Sequence, residues 1–263
     1  YYLIPLYVMI VTSLKGMPEI RMGNIFAPPV EITFEPWVKA WSGACTGLYC
    51  EGISVGFWNS VKITVPGIII SIAVASVNGY ALANWRFKGS EFFFTVLLFG
   101  AFIPYQVMLY PLVIILRELH MFSTLPGIVL VHTIFGMPIL TLLFRNYFRN
   151  LPEELFDAAF VDGCGYIGFF WHVTMPLSRP IIATVGIIAF VQSWNSYIIP
   201  LIMLNTESRY PWPLGIMVYK GEFATEWQLV LAFITLTILP TIIAFFIAQK
   251  HIIAGLTAGA VKS

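Results

Sequence analysis

Five long apolar runs restrict this chain to very few folds. Each has about twenty or more mostly apolar residues, and they lie at 61–83, 92–116, 125–144, 181–203 and 228–248. A helix that rises about 1.5 Å per residue needs about 20 such residues to cross the hydrocarbon core of a bilayer. The runs are too long and unbroken for the alternating segments of about ten residues in a membrane barrel. The pattern therefore predicts an all-α polytopic membrane protein.

Composition agrees with this class and argues against one kind of partner. Hydrophobic residues make up 59% of the 263 residues and charged residues 10%, and the mean hydropathy is +0.84. These values lie well outside the range of soluble domains. The net charge of +1 comes without a cluster of Lys and Arg on one face. We therefore expect membrane lipid around the chain and no nucleic-acid partner.

The opening segment YYLIPLYVMIVTSLKG is apolar over only about fourteen residues and has no initiator Met. We expect a first transmembrane helix whose beginning is missing, which gives six helices in a single membrane domain, 1–263. A signal peptide is the alternative, but neither a basic leading region nor a small-residue cleavage site is visible. Polar loops are expected at 15–56, 149–180 and 204–227. Lys and Arg divide equally between the two faces, so the positive-inside rule does not orient the chain.

Small residues recur every four positions in the first long run, at Gly67, Ser71, Ala75, Gly79 and Ala83. Such a row lies along one side of a helix and lets another helix approach closely in lipid. The neighbour is a helix of this chain or of a partner subunit. Chance alignment of common membrane residues is the alternative.

Polar residues inside the apolar runs are costly in hydrocarbon and usually face a bundle interior or a wet cavity. Gln106, Gln192, Trp194 and Asn195 are candidates for a translocation path, and helix–helix hydrogen bonding is the alternative for each. No Asp or Glu lies near the middle of a run. This argues against an ion-coupled carrier, which generally uses an intramembrane carboxylate.

The stretch LPEELFDAAFVDGCGYIGFFWHVTMPLSRP, 151–180, interrupts the apolar pattern. Pro152 suits the first turn of a helix, and Glu153, Glu154 and Asp157 favour the positive end of its dipole. Gly163 permits a turn with positive φ. The segment predicts a short helix, a bend and a second short segment outside the membrane, with small side chains that fit closely into a groove on another protein.

These residues resemble the cytoplasmic loop of permease subunits of importing ATP-binding-cassette transporters. That pattern is Glu-Ala-Ala, three residues, Gly, nine residues, Ile, one residue, Leu-Pro. Here it runs Asp157-Ala158-Ala159, Gly163, Val173 and Met175-Pro176, with every spacing kept and Asp, Val and Met as conservative departures. The likeness covers nearly the whole chain. It is nearest to the carbohydrate-uptake, maltose-type branch, through PLYVMIVTSLKG, FWNS, WNSYIIPL and the closing GLTAGAVKS.

The resemblance implies an assembly in a bacterial or archaeal plasma (inner) membrane. A second permease subunit completes the pore, as a heterodimer, and two cytoplasmic ATPase subunits bind ATP and Mg, so this chain itself carries no cofactor. A periplasmic or lipid-anchored sugar-binding protein delivers the sugar. The loop 149–180 is then cytoplasmic, and 15–56 and 204–227 are periplasmic.

The resemblance also assigns roles to particular residues. Coupling to the ATPase is implied for Glu154, Asp157, Ala158, Ala159, Asp162, Gly163 and Pro176. Contact between the C-terminal tail and the ATPase is implied for Gly255, Gly259 and Lys262. Contact with the binding protein is implied for Tyr210 and Trp212, for which interfacial anchoring is the alternative.

Two rival classes remain at this point. An intramembrane enzyme is disfavoured, since Glu153-Glu154 lacks the Arg of a Glu-Glu-x-x-x-Arg protease and no H-E-x-x-H occurs. No P-loop occurs either, so we expect that this chain does not bind ATP itself. The four histidines have no metal-ligand spacing, so no metal site is predicted. A self-sufficient carrier or channel is the other rival, and it has no need of a docking loop. Cys45 and Cys50 are close enough in sequence to form a disulfide but do not require one.

Overall fold

The computed structural model describes residues 1–45, 50–85, 88–216 and 226–260, with the backbone alone at 248 and 250–260. Those residues are helical or in turns, which confirms the all-α class. The α-helices whose two ends are both described are α1 (Ile4–Ser13), α2 (Met17–Met22), α3 (Glu35–Ser42), α4 (Ser54–Asn84), α5 (Ser90–Phe102), α6 (Tyr105–Glu118), α7 (Leu125–Arg149), α8 (Glu153–Val161), α9 (Tyr166–Phe169), α10 (Met175–Leu177), α11 (Arg179–Trp194), α12 (Ile198–Met203) and α13 (Trp227–Ala260). A π-helical turn, Phe170–Thr174, joins α9 to α10.

Three described segments are long and apolar enough to cross a bilayer unbroken: Ser54–Asn84, Leu125–Arg149 and Trp227–Ile247. Two further pairs meet the same criterion jointly. Ser90–Phe102 and Tyr105–Glu118 are bent by 102°, and Tyr166–Leu177 and Arg179–Trp194 by 76°. Counting each pair as one span gives up to five, with α1 as a shorter apolar helix. The polytopic class is confirmed, and the sixth span stays a prediction.

Two of the predicted continuous helices are broken. The run 92–116 is interrupted between α5 and α6, where Ile103 has φ −73° and ψ 120°. Pro104 causes this, because a residue that precedes proline is pushed out of the helical region. The run 181–203 is interrupted after Trp194, and the chain becomes helical again at Ile198. Pro200 lacks the N–H that would bond the carbonyl of Ser196, which disfavours a continuous helix there.

The chain divides into two compact units. The first comprises Tyr1–Ile63, Leu116–Ile128 and Trp194–Ile243. The second comprises Thr64–Ile115, Val129–Ser193 and Ala244–Ser263, and it contains the loop 149–180.

The core of the second unit forms where α4 packs against α7. Ala75 is fully buried and Ser71 is 3% exposed. A Cβ added at Gly79 would lie 2.6 Å from the Cβ of Phe144 and 2.9 Å from the backbone N of Arg145. Only a residue without a side chain fits at that distance. The small-residue row is therefore a helix-packing surface, as predicted, and its neighbour belongs to this chain.

The core of the first unit gathers Trp37 and Trp41 around Ala40 and around Phe233 of α13. Cys45 and Cys50, which flank an undescribed stretch, are joined by a disulfide, so the structure decides between the two alternatives. Lys15 is 2% exposed, and its ammonium group donates a hydrogen bond to a backbone carbonyl.

Candidate functional site

The helix α8 begins the loop that the sequence singled out. Pro152 is extended, with φ −57° and ψ 133°, so the helix starts at Glu153. Glu153 and Glu154 both lie in the first turn, where carboxylates interact favourably with the positive end of the helix dipole. The local sequence thus sets both the start and the direction of α8.

The two sides of α8 differ in chemistry. Glu154, Asp157 and Ala158 are exposed. Phe156 and Ala159, three residues apart and so on one face, pack against the core cluster of the second unit. The outer face is therefore acidic and small, and the inner face is apolar and held.

The bend after α8 is a regular helix-ending motif. The backbone N–H of Gly163 donates to the carbonyl of Phe160 at 3.0 Å, and that of Cys164 donates to Ala159 at 2.9 Å. Gly163 has φ +81°, the left-handed conformation that such an ending requires. A Cβ added at Gly163 would meet nothing within 4 Å, so the need for glycine comes from the backbone angle and not from crowding.

An aromatic cluster fixes α8 to the rest of the second unit. The ring of Phe156 lies 5.4 Å from Tyr166 and 5.0 Å from Phe169, between ring centroids. Tyr80 of α4, only 5% exposed, lies 4.9 Å from Phe170 and donates its hydroxyl to the carbonyl of Tyr166 at 2.8 Å. Packed interiors transmit displacement because they have few voids. The cluster therefore connects α8 to α9 and to the long helix α4 through direct contacts.

A charged cluster beside this loop did not emerge from the sequence reasoning. Glu91 of α5 accepts hydrogen bonds from Arg149, at 2.6 Å, and from Arg145. The Arg145 side chain is 5% exposed, lies over the ring of Phe94 at 3.8 Å and donates to the carbonyl of Leu82 at 3.4 Å. The cluster ties α4, α5 and α7 together. The sequence does contain a signal for it: Glu91 directly precedes the apolar run 92–116, and Arg145 and Arg149 follow the run 125–144.

A groove of about 420 Å³ lies between α8 and the ends of α4 and α7. Its polar lining includes Asn84, Arg149, Glu153, Asp157 and Tyr166. The groove therefore gives the loop a recessed, charged surface beside the exposed face of α8. Two other predicted coupling residues, Asp162 and Pro176, are exposed on the same loop.

The predicted path residues have different environments. Gln106, near the start of α6, and Gln192, in α11, are both exposed. A Cβ added at Gly136 would lie 3.6 Å from the Gln192 Oε1, so that amide lies close to the α7 backbone. Asn195, just beyond α11, is exposed too. Gln106, Gln192 and Asn195 thus present polar surface, and their role in translocation stays a prediction.

Trp194 has a packing role in the first unit. It is 3% exposed, and its indole N–H donates to the carbonyl of Thr237 at 3.0 Å. Its ring lies 5.5 Å from that of Phe57 and 6.3 Å from that of Trp212. The structure therefore places Trp194, predicted as a path residue, inside a core.

The segment that contains Tyr210 and Trp212 is bound to the start of α4. The Asn59 side chain, 5% exposed, donates to the carbonyls of Ser208 at 2.8 Å and Tyr210 at 3.1 Å. The backbone N–H of Trp212 donates to the Ser60 hydroxyl at 3.0 Å. Both anchors come from FWNS. The rings of Tyr210 and Trp212 are partly buried, and contact with a binding protein stays a prediction.

The structure says little about the three residues predicted to contact the ATPase through the C-terminal tail. Gly255 and Gly259 lie within α13, and Lys262 lies outside the described residues.

The stretch 52–56, GISVG, matches the hydrolase motif G-x-S-x-G, but Ser54 begins α4 and donates to the carbonyl of Glu51 at 2.9 Å. The hydrolase motif needs a strand before the turn, and no strand occurs in the described ranges. The described residues hold no group of three or more His, Cys, Asp or Glu side chains that fits a metal ion.

The fold and the loop define a polytopic membrane permease. The family model described as "Binding-protein-dependent transport system inner membrane component" matches residues 61–257, and the chain belongs to this family. Its members are permease components of ABC importers, in which the ATPase is a separate subunit. The chain is thus the transmembrane permease subunit of such an importer, located in the inner membrane.

Comparisons with individual proteins are consistent with this family assignment. The chain is 31% identical over 258 residues to the probable ABC transporter permease protein YurM of Bacillus subtilis, covering 98% of this chain and 83% of the relative. It is 32% identical over 260 residues to the arabinooligosaccharides transport system permease protein AraQ of Halalkalibacterium halodurans, covering 98% and 90%. A crystal structure of a bacterial ABC transporter involved in the import of the acidic polysaccharide alginate has a similar fold, with TM-score 0.80, 23% identity and coverage of 95% and 91%.

Proposed function

We propose that the subunit forms half of the translocation pore of an ATP-driven sugar importer, and that ATPase subunits move it through α8. A carbohydrate substrate is supported by the relative named for arabinooligosaccharides. In the proposed assembly a second, different permease completes the pore. Two ATPase subunits bind ATP and Mg, and a periplasmic or lipid-anchored binding protein delivers the sugar.

The two-sided character of α8 carries the coupling proposal. Its outer face, with Glu154, Asp157 and Ala158, is exposed and available to a partner. Its inner face is held through Phe156 and, beyond it, through the hydrogen bond from Tyr80. An element that is free on one side and fixed on the other can be moved as a solid piece. Closure of the ATPase pair then displaces α4 and α9 together with α8.

The other residue assignments are part of the same proposal. Gln106, Gln192 and Asn195 contribute polar contacts for sugar hydroxyl groups along the path. The segment with Tyr210 and Trp212 meets the binding protein at the outer face. The tail with Gly255, Gly259 and Lys262 contacts the ATPases.

Bulk added to the outer face of α8 tests the coupling role. Ala158→Trp puts a large ring on an exposed position, so the chain should still fold, but the ATPase should no longer fit. We expect the variant to reach the membrane while co-purification of the ATPase subunits and sugar uptake are both lost. The matched control is Met22→Trp, at an 86% exposed position on α2, which should leave both unchanged. Normal uptake by Ala158→Trp would refute the docking role.

Reconstitution separates this proposal from the carrier alternative. The purified chain is placed in liposomes alone, and also with its second permease, ATPases and binding protein. We expect uptake of labelled oligosaccharide only in the complete system and only with ATP. Uptake by the chain alone would support a self-sufficient carrier. ATP-dependent uptake of a substrate that is not a sugar would leave the coupling mechanism intact and overturn the carbohydrate assignment.

A further inference from the structure

A small recess lies inside the second unit where three long helices meet. Its polar lining comprises Ser71 of α4, His132 of α7, and Gln192 and Ser193 of α11. The space open to the centre of a water molecule is about 10 Å³, close to the minimum that one water needs.

Glycines make this space. Gly67 of α4 and Gly136 of α7 both border the recess and are buried. A Cβ added at Gly67 would meet nothing within 4 Å, although the position lies inside the helix bundle. A Cβ added at Gly136 would lie 3.4 Å from a methyl group of Leu140, so the recess has little free space beside Gly136. The recess is therefore bounded on one side and left open beside Gly67.

His132 gives the recess its chemistry. The residue is 6% exposed, and no protein atom of the described part of the chain bonds either ring nitrogen. A neutral imidazole presents one N–H donor and one acceptor. Buried polar groups of this kind are nearly always satisfied, because leaving them bare forfeits the bonds they make in water. The described part of the chain supplies no partner to His132, so we infer that a small molecule that both donates and accepts does so.

We propose that the recess is a binding site for one water molecule, which joins His132 to polar groups of α4 and α11. Ser71 and Gln192 border the recess, and the Ser193 hydroxyl, 3.2 Å from that of Thr64, belongs to the same lining. A buried water usually makes about three hydrogen bonds, and this lining has enough groups for that. The water links His132 of α7 by hydrogen bonds to α4 and α11, in addition to the direct hydrogen bond between Thr64 of α4 and Ser193 of α11. This site does not depend on which solute the importer carries.

A density map of the assembled transporter, at a resolution where other buried waters are visible, tests the site directly. We expect a peak about 2.7 to 3.2 Å from a ring nitrogen of His132 and from at least one oxygen of Ser71, Gln192 or Ser193. An empty recess in such a map would overturn the proposal.

A double-mutant cycle tests the link in solution. His132→Leu, Ser71→Ala and the double variant are compared by the melting temperature of the assembled transporter. Either single change removes a partner of the shared water, so the second change should cost little more. We expect the two shifts to be non-additive by about 2 to 4 °C. Additive shifts, within about 1 °C, would mean that no water couples the two residues.

The control cycle pairs Ser71→Ala with Thr141→Val. Thr141 is a fully buried polar residue of the same helix α7 that does not line the recess, so these two shifts should be additive. If His132→Leu prevents assembly, Gln192→Leu with Ser71→Ala provides a second cycle through the same water. Non-additivity in the control as large as in the test cycle would also overturn the proposal.

Discussion

Replacing Gly163 with valine tests whether the bend after α8 transmits movement. Gly163 has φ +81°, and no atom lies within 4 Å of an added Cβ. The cost of substitution is therefore the backbone penalty alone. It is about 1–2 kcal/mol for an L-residue in the left-handed region and more for a β-branched one. A penalty of that size lowers the equilibrium ratio of the bent to the unbent loop by about 5- to 30-fold.

The assay is sugar uptake per ATP hydrolysed by the reconstituted transporter. We expect Gly163→Val to assemble with its partners but to take up markedly less sugar per ATP, because Phe156 of α8 no longer keeps its position against Tyr166 and Phe169. Gly163→Asn is the matched control: asparagine adds a side chain of similar size but tolerates positive φ, so it should retain most of the coupling. Equal losses in the two variants, or full activity with valine, would refute the backbone reasoning.

Three further predictions concern contacts that stabilise the two units. Glu91→Gln removes the carboxylate from Arg145, which is buried, so we expect a lower melting temperature of the purified chain; an unchanged value would mean that the ion cluster adds no stability. Gly79→Val forces its side chain against Phe144, 2.6 Å from the site of an added Cβ, so we expect little folded protein by size-exclusion chromatography. Gly100→Ala is the control and should fold normally, because a Cβ added there would meet nothing within 4 Å. Equal yields of folded protein from the two variants would contradict the packing of α4 on α7. Asn59→Leu loses two hydrogen bonds worth about 1 kcal/mol each. We expect weaker stimulation of ATP hydrolysis by the binding protein, with ATPase co-purification unchanged; full stimulation would show that the segment is held without Asn59.

The loop helix was predictable because its causes are local. Pro152 and the acidic first turn set the start of α8, and Gly163 sets its end through its own backbone freedom. The sequence also showed that Phe156 and Ala159 share one face of α8, but it did not show which residues they pack against. The break at Ile103 also has a local cause in Pro104, and the apolar composition of the run concealed it.

The charged cluster and the indole contacts have causes far apart in the chain. Arg145 meets Glu91 across 54 residues, and Trp194 meets Thr237 across 43. Trp194 appeared to be a path residue because a polar N–H in an apolar run needs a partner. Whether that partner is a solute or a carbonyl of another helix depends on how the helices pack, and the structure shows the carbonyl.

The sequence by itself determined that the chain is helical and crosses a membrane, and it predicted a short helix followed by a bend in the loop 149–180. Hydrophobicity, proline and glycine act over a few residues and so can be read in order along the chain. The tertiary structure alone decided that Gly79 meets α7, that Asn59 holds the segment at 208–210 and that neither ring nitrogen of His132 has a partner among the described residues. These outcomes depend on which side chains come together when long helices pack, and no local preference encodes them.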